Sequence, residues 1–321
     1  MQRRTLGRGP AVTELGLGAA QFGNLYRETT DEASAAAVDA AWQSGIRYFD
    51  TAPHYGIGLS ERRLGAALAQ YPRDEFVVST KVGRLLVPTP ENAHQLDEHG
   101  FVTPAVFRRE WDFSRDGILR SVEGSLERLG LDRVDVVYLH DPDFHWQQAS
   151  TEGIAALIEL REQGLIGAIG AGMNQSAMIA QFIRETDVDL MMLAGRYTLL
   201  EQGALDDLLP LALERGVGIV AAAIYNSGLL SAPRPAADAR YDYQQAPPEL
   251  LSRANAIADV CERWGVTLPD AAVAYPLRHP AVVSVVLGTR TAQQVASNVS
   301  RYETPIPDEV WAELQSEGLI P

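Results

Sequence analysis

Four side chains able to move protons fall where apolar runs end. Asp50 closes Arg47-Tyr48-Phe49-Asp50, Lys81 closes Val77-Val78-Ser79-Thr80-Lys81, and His140 closes Val136-Val137-Tyr138-Leu139-His140. Tyr55 comes five residues after Asp50, in Thr51-Ala52-Pro53-His54-Tyr55-Gly56. A phenol has a pKa of about 10 and gives up its proton reluctantly at neutral pH. A neighbouring ammonium stabilises the phenolate, and a carboxylate would hold that ammonium in place. The expectation is a Tyr55 made more acidic by Lys81, with Asp50 behind the lysine. When hydride reaches a carbonyl carbon, charge develops on its oxygen. Tyr55 would protonate that oxygen while His140 donates a hydrogen bond to orient it. In the reverse direction Tyr55 would take the proton of a hydroxyl. No metal-ligand cluster accompanies the four, and the chemistry needs no Ser or Cys nucleophile.

Such groups must be brought together by the elements that carry them. Short β-branched runs at 14–19, 48–51, 76–82, 134–140, 168–172, 190–195, 218–223 and 284–288 read as strands. Stretches of helical period lie between them, at 31–44, 60–69, 116–129, 151–163 and 204–215. The strands are continuous apolar runs rather than alternating ones, as expected of parallel strands covered on both faces. Eight strands alternating with helices predict an α/β fold, a closed (β/α)8 TIM barrel. The 321 residues suit one such domain, since a barrel takes about 250 and more with insertions. The competing open doubly wound sheet asks for a G-x-G-x-x-G loop after the first strand. Here Gly16-Leu17-Gly18 is followed by Ala19-Ala20-Gln21, so the third glycine is missing. Two stretches, about 85–115 and 229–248, exceed ordinary connections and contain several prolines. Following the third and seventh strands, they belong to the active face of a barrel and read as lids over substrate or cofactor.

Composition narrows the partners. Twenty-seven basic against 42 acidic residues give a net charge of −15, which repels phosphate backbones and anionic lipid. Nucleic acid and membrane are therefore not expected as partners, and no apolar run is long enough to span a bilayer. The N-terminal residues lack the apolar core of an export signal. A single cysteine, Cys261, permits no intrachain disulfide and reads as a packed thiol on a helix. Together these features favour the cytoplasm, and a monomer or small homo-oligomer acting on a small molecule.

Several of the motifs resemble those of the aldo-keto reductase superfamily, over nearly the whole chain. The stretch from Ile46 through Asp50 and Tyr55 to Gly56, continued by Leu59-Ser60-Glu61-Arg62-Arg63-Leu64-Gly65, resembles its signature around the catalytic Asp and Tyr. Ser79-Thr80-Lys81-Val82-Gly83 resembles its lysine strand, and Val134-Asp135-Val136-Val137-Tyr138-Leu139-His140 its histidine strand. The resemblance implies a catalytic tetrad of Asp50, Tyr55, Lys81 and His140. Segments at Gly23-Asn24-Leu25-Tyr26, Lys81–Leu86, Gly195–Gln202 and Asn226–Leu230 are most similar to the L-fucose, D-threo-aldose and L-galactose 1-dehydrogenases and to pyridoxal 4-dehydrogenase. That subgroup implies oxidation of an aldose C1 hydroxyl to the lactone. An NADPH-dependent aldehyde reductase, a pyridoxal 4-dehydrogenase, and a cofactor-binding regulatory subunit are the other readings.

The resemblance also implies where NAD or NADP would bind: Gly18 and Ala19, Asn174 at the nicotinamide amide, Asn226, Gly228 and Leu229, and the segment Gly288, Thr289, Arg290, Gln294 and Asn298. The usual glutamine partner of the amide is replaced by Ala194, and alanine stands at 222–223 where many members stack an aromatic ring. Gly288 and Gln294 occupy positions where one branch carries a lysine and an arginine for the 2′-phosphate. This tips the reading toward NAD, with Arg290 as an alternative source of that charge. His54, Trp111 and Asp141 are the expected substrate contacts. Trp111 and Phe113 would cover a sugar face, and Asp141 or Asp143 would either bind sugar hydroxyls or cap a turn.

Overall fold

The eight expected strands all form, and they are hydrogen-bonded in sequence order into a closed, wholly parallel barrel. In the computed structural model, which describes residues 1–242 and 244–321, they run Leu15–Gly18, Tyr48–Asp50, Val77–Val82, Val134–His140, Ile166–Met173, Leu190–Ala194, Gly218–Ala222 and Val282–Gly288. One position of the 229–248 stretch, residue 243, lies outside the described residues. The last strand closes on the first, with Val286 opposite Gly16 and Gly288 opposite Gly18.

The continuous apolar runs are explained by two cores. Inside the barrel, Tyr48, Val136, Tyr138, Met192, Val220 and Val286 pack on one another. Outside, apolar faces of Asp31–Gln43, Arg115–Leu129, Ser176–Glu185 and the other helices bury against the opposite faces of the same strands. Helix starts carry the expected caps: Thr30, Ser114 and Thr291 accept backbone N–H groups of Ala33, Gly117 and Gln294. Cys261 is a buried free thiol on the helix Pro248–Arg263. A short hairpin, Arg3–Arg4 with Val12–Thr13, lies at the base, and Arg4 donates to the carbonyls of Leu277 (2.8 Å) and Val282 (3.1 Å).

The 85–115 stretch departs from the expected loop. Arg84–Pro88 and Phe107–Trp111 pair as an antiparallel ribbon, Arg84 opposite Trp111. Its far end bridges Leu25 to Phe101. The buried pair Arg109–Asp97 (2.5 Å) and a bond from Arg109 to the His54 carbonyl (2.8 Å) fasten it to the loop that carries Tyr55. The prolines at 88, 90 and 104 lie at the end of the ribbon's first strand and between the two, and made the whole stretch read as a loop. The second long stretch holds a short hairpin, Arg240–Tyr241 with Gln244–Gln245.

Candidate active site

The ends of the second, third and fourth strands meet at the barrel mouth. Lys81 Nζ donates to Asp50 Oδ2 (2.7 Å), Asp50 Oδ1 (2.9 Å) and the Thr51 carbonyl (3.0 Å). The side chains of the pair are only 3% and 5% exposed. Such burial is tolerable because the charges face one another and each is further hydrogen-bonded. Ser79 adds a bond to Asp50 Oδ1 (2.7 Å) and another to the Tyr48 hydroxyl (3.1 Å), which meets the Tyr138 hydroxyl at 3.1 Å. Asp50 is thereby anchored from the barrel interior.

Tyr55 lies over this pair. The Lys81 ammonium stands 4.9 Å from its ring centroid. A close approach of two backbones sets the position of Tyr55. A Cβ on Gly23 would fall 2.5 Å from the Tyr55 carbonyl carbon and 2.6 Å from Gly56 N, so only glycine fits there. The rings of Tyr55 and His140 are 5.9 Å apart and nearly perpendicular. The four expected residues thus converge on one point.

Electrostatics correct one expectation. Burial raises the Tyr55 phenol above its ordinary value, and Lys81 pulls against burial without overcoming it, while Asp50 adds to the rise. Lys81 shows the opposite balance. Burial alone would depress it, but Asp50 and Tyr55 hold it above the ordinary lysine value. His140 is pushed well below the usual imidazole range by burial and then by Arg84 and Lys81, so it is neutral. His54 is pushed down to about 2 by burial and by Arg84 and Arg109. Its ring packs against His140 (5.5 Å) and Phe101 (5.3 Å), a wall of the site and not a surface histidine.

Other expected substrate contacts are rearranged. Asp141 caps no turn; it forms an ion pair with Arg84, and its Oδ2 lies 3.7 Å from His140 Nε2. Trp111 is 42% exposed, but Arg84 covers one part of its ring at 4.3 Å and His145 stacks at 5.2 Å. Phe113 is fully buried and cannot cover a sugar, whereas Trp111 keeps part of its ring exposed. The packing of Phe113 on Gly83 explains this, since a Cβ there would fall 2.0 Å from its ring. Sequence reading passed over Arg84 as a site residue. Its place at the start of a ribbon beside Asp141 was the missing signal.

The cofactor segments lie together along one edge. The Tyr225 hydroxyl joins the turn after the seventh strand to Asn298 Oδ1 (3.3 Å) on the helix Ala292–Glu303. Asn226 donates to the Gly195 carbonyl (3.2 Å), leaving its buried Oδ1 without a hydrogen-bond partner. The buried Oε1 of Gln21, which touches Gly288, and Nδ1 of His140 are likewise unpaired. Buried polar atoms seldom stay unpaired, and these three atoms are available to a polar ligand. Asn174, Gly228 and Gln294 are exposed along the way.

Several residues expected at the cofactor are buried in this structure. Gly18 and Ala19 lie in the barrel wall, where Gly18 O accepts from Thr289 N and Ala19 N donates to the Asp50 carbonyl. Leu229 (1% exposed) and Thr289 (2%) are core residues whose side chains face inward contacts. Arg290, the alternative source of charge, is buried. Its guanidinium is spent on the carbonyls of Leu25 (2.7 Å), Arg27 (2.8 Å) and Glu28 (3.3 Å) and on the Thr29 hydroxyl.

Comparison with known proteins gives the same picture. A model of the Aldo/keto reductase family matches residues 14–317. A D-threo-aldose 1-dehydrogenase from a Pseudomonas species is 49% identical over 98% of this chain and 96% of its own length. A pyridoxal 4-dehydrogenase from Microbacterium luteolum is 42% identical over 99% and 98%, and an L-galactose dehydrogenase from Arabidopsis thaliana is 31% identical over 94% and 88%. Among solved structures, an aldo-keto reductase from Bacillus halodurans aligns with a TM-score of 0.78 and 26% identity, over 100% of this chain and 97% of its own.

Proposed function

The chain belongs to the aldo/keto reductase family, and from that premise we propose that it oxidises the C1 hydroxyl of an aldose, such as L-fucose, L-galactose or D-arabinose, to the lactone. It is an oxidoreductase that works with a nicotinamide cofactor. The observation that carries the proposal is the buried Lys81–Asp50 pair with the Lys81 ammonium 4.9 Å from the Tyr55 ring centroid, in a chain 49% identical to an aldose 1-dehydrogenase.

A nicotinamide held there would supply the two-electron acceptor for oxidation at C1 and the donor for the reverse reaction. Tyr55 takes the hydroxyl proton as C1 becomes a carbonyl, and gives it back in the reverse direction. Lys81 compensates the charge left on the phenolate, and Asp50 keeps Lys81 ionised and in place. His140, neutral, donates one hydrogen bond to the reacting oxygen and so fixes its orientation. Asn174, Asn226, Gly228, Gln294 and Asn298 hold the cofactor.

NAD is the proposed cofactor. Gly288 and Gln294 are uncharged and the Arg290 guanidinium is occupied, so the 288–298 segment offers a 2′-phosphate no cation. The place of action is the cytoplasm, on a small-molecule substrate, as a monomer or small homo-oligomer. Among the described residues no helix is long and apolar enough to cross a membrane. The test is cofactor reduction with L-fucose, L-galactose, D-arabinose and pyridoxal, each with NAD and NADP. Turnover of an aldose with NAD is expected, and no turnover of any aldose with either cofactor refutes the proposal. Pyridoxal is the second reading, favoured by the 42% identical pyridoxal dehydrogenase.

A further inference from the structure

Arg84 opens the antiparallel ribbon after the third strand, and Asp141 is the first residue beyond the fourth. Their ion pair leaves the carboxylate side chain 37% exposed and the guanidinium 14%, so the carboxylate stays within reach of a bound molecule. Three observations point to what the pair serves. Asp141 sits at φ 44°, in the left-handed region that aspartate adopts more readily than most residues, and its Oδ2 lies 3.7 Å from His140 Nε2. Arg84 Nε is buried and has no hydrogen-bond partner. Trp111 lies under the guanidinium at 4.3 Å, and His145 stacks on that ring, so the plane of Arg84 is fixed.

A guanidinium and a carboxylate side by side present fixed donors next to fixed acceptors. Neighbouring hydroxyls can satisfy both at once, because each hydroxyl gives one hydrogen bond and accepts others. Position selects which hydroxyls. His140 is the group assigned to the reacting oxygen, and Asp141 Oδ2 is 3.7 Å from its Nε2. A hydroxyl on the carbon adjacent to the reacting one is therefore the one that falls to the carboxylate, with Arg84 beyond it.

We infer that the Arg84–Asp141 pair recognises two neighbouring hydroxyls of a ring-closed sugar, with the C2 hydroxyl on Asp141. This rests on the aldose reading above and accounts for selection of sugars over plain aldehydes. A substrate lacking the hydroxyl leaves the remaining donors and acceptors of the pair without a substrate partner, and sites built to hydrogen-bond a hydroxyl discriminate strongly against its absence.

The experiment compares the best aldose of the panel with its 2-deoxy counterpart, in the full-length protein and in Asp141→Asn and Arg84→Met. Melting temperature and cofactor binding show which variants are folded; Asp141→Asn, the near-isosteric change, carries the test if Arg84→Met does not fold. The protein is expected to prefer the parent sugar by about 10–100-fold in kcat/KM, and the preference should shrink to about 3-fold or less in the variants. A preference that persists undiminished in a folded variant, or no preference in the unaltered protein, overturns the inference and leaves the aldose reading standing. Failure of the unaltered protein to oxidise any aldose overturns both.

Discussion

His54 and His140 face each other edge to face, ring centroids 5.5 Å apart, and both are held neutral by burial and by nearby arginines. An unfolded chain protonates each at about pH 6.5, whereas the folded one does not. Acid therefore favours the unfolded state. Their contribution to stability is complete above about pH 6.5 and is lost as pH falls below it, by about 1.4 kcal/mol per pH unit for each histidine. Chemical denaturation between pH 7.5 and 5 should show this slope, and His54→Phe should remove close to half of it. An identical slope in the variant would contradict the assignment.

The pH profile of turnover follows from Tyr55. Its phenol titrates above the ordinary tyrosine value because burial outweighs Lys81. Oxidation needs the phenolate as base, so kcat/KM should still be climbing at about pH 9–10. Reduction needs the neutral phenol and should be level across the neutral range, falling only above that value. Neither profile should bend near pH 6.5, because His140 does not titrate there. Steady-state rates in both directions check all three statements.

Lys81 and Asp50 act as a unit. Asp50→Asn leaves a buried ammonium without its counter-charge, with an expected loss of about 3–5 kcal/mol and a large fall in kcat. Ser79→Ala removes only one anchor of Asp50 and should cost about 1–2 kcal/mol. Denaturant midpoints of the two variants give the comparison.

Gly23 tests positioning. An alanine there would press its Cβ against the backbone of Tyr55 and Gly56. Gly23→Ala should lower kcat by about 10–100-fold while the protein still folds, since small displacements of a reacting group are costly.

Arg290 separates support from recognition. Arg290→Met should lower the melting temperature, because it strips the carbonyls of Leu25, Arg27 and Glu28 of their donor. The ratio of NAD to NADP affinity should stay unchanged. A selective loss of NADP binding would show that the guanidinium does reach a 2′-phosphate.

The barrel was legible because parallel strands buried on both faces must be apolar throughout, as in Val134–His140 and Val282–Gly288. The four residues proposed to handle the proton stood out because each ends or follows such a run. What the sequence hid depends on burial and on distant partners. Nothing local marks Arg290 as a clamp on residues 25–29, or Arg84 as the mate of Asp141. The direction of the Tyr55 shift required knowing how deeply its hydroxyl is enclosed. The ribbon at 84–111 was masked by its prolines, and Phe113 by the turn at Gly83 that draws it inward.

The central claim is that Tyr55 carries the proton. Tyr55→Phe keeps the ring and its packing while removing only the hydroxyl. With the preferred aldose and a saturating cofactor, the rate of cofactor reduction should fall by about 100–10,000-fold, and cofactor affinity, measured by fluorescence titration, should stay within about 3-fold of the unaltered protein. A variant that retains a rate within about 3-fold of the original would show that the proton travels elsewhere.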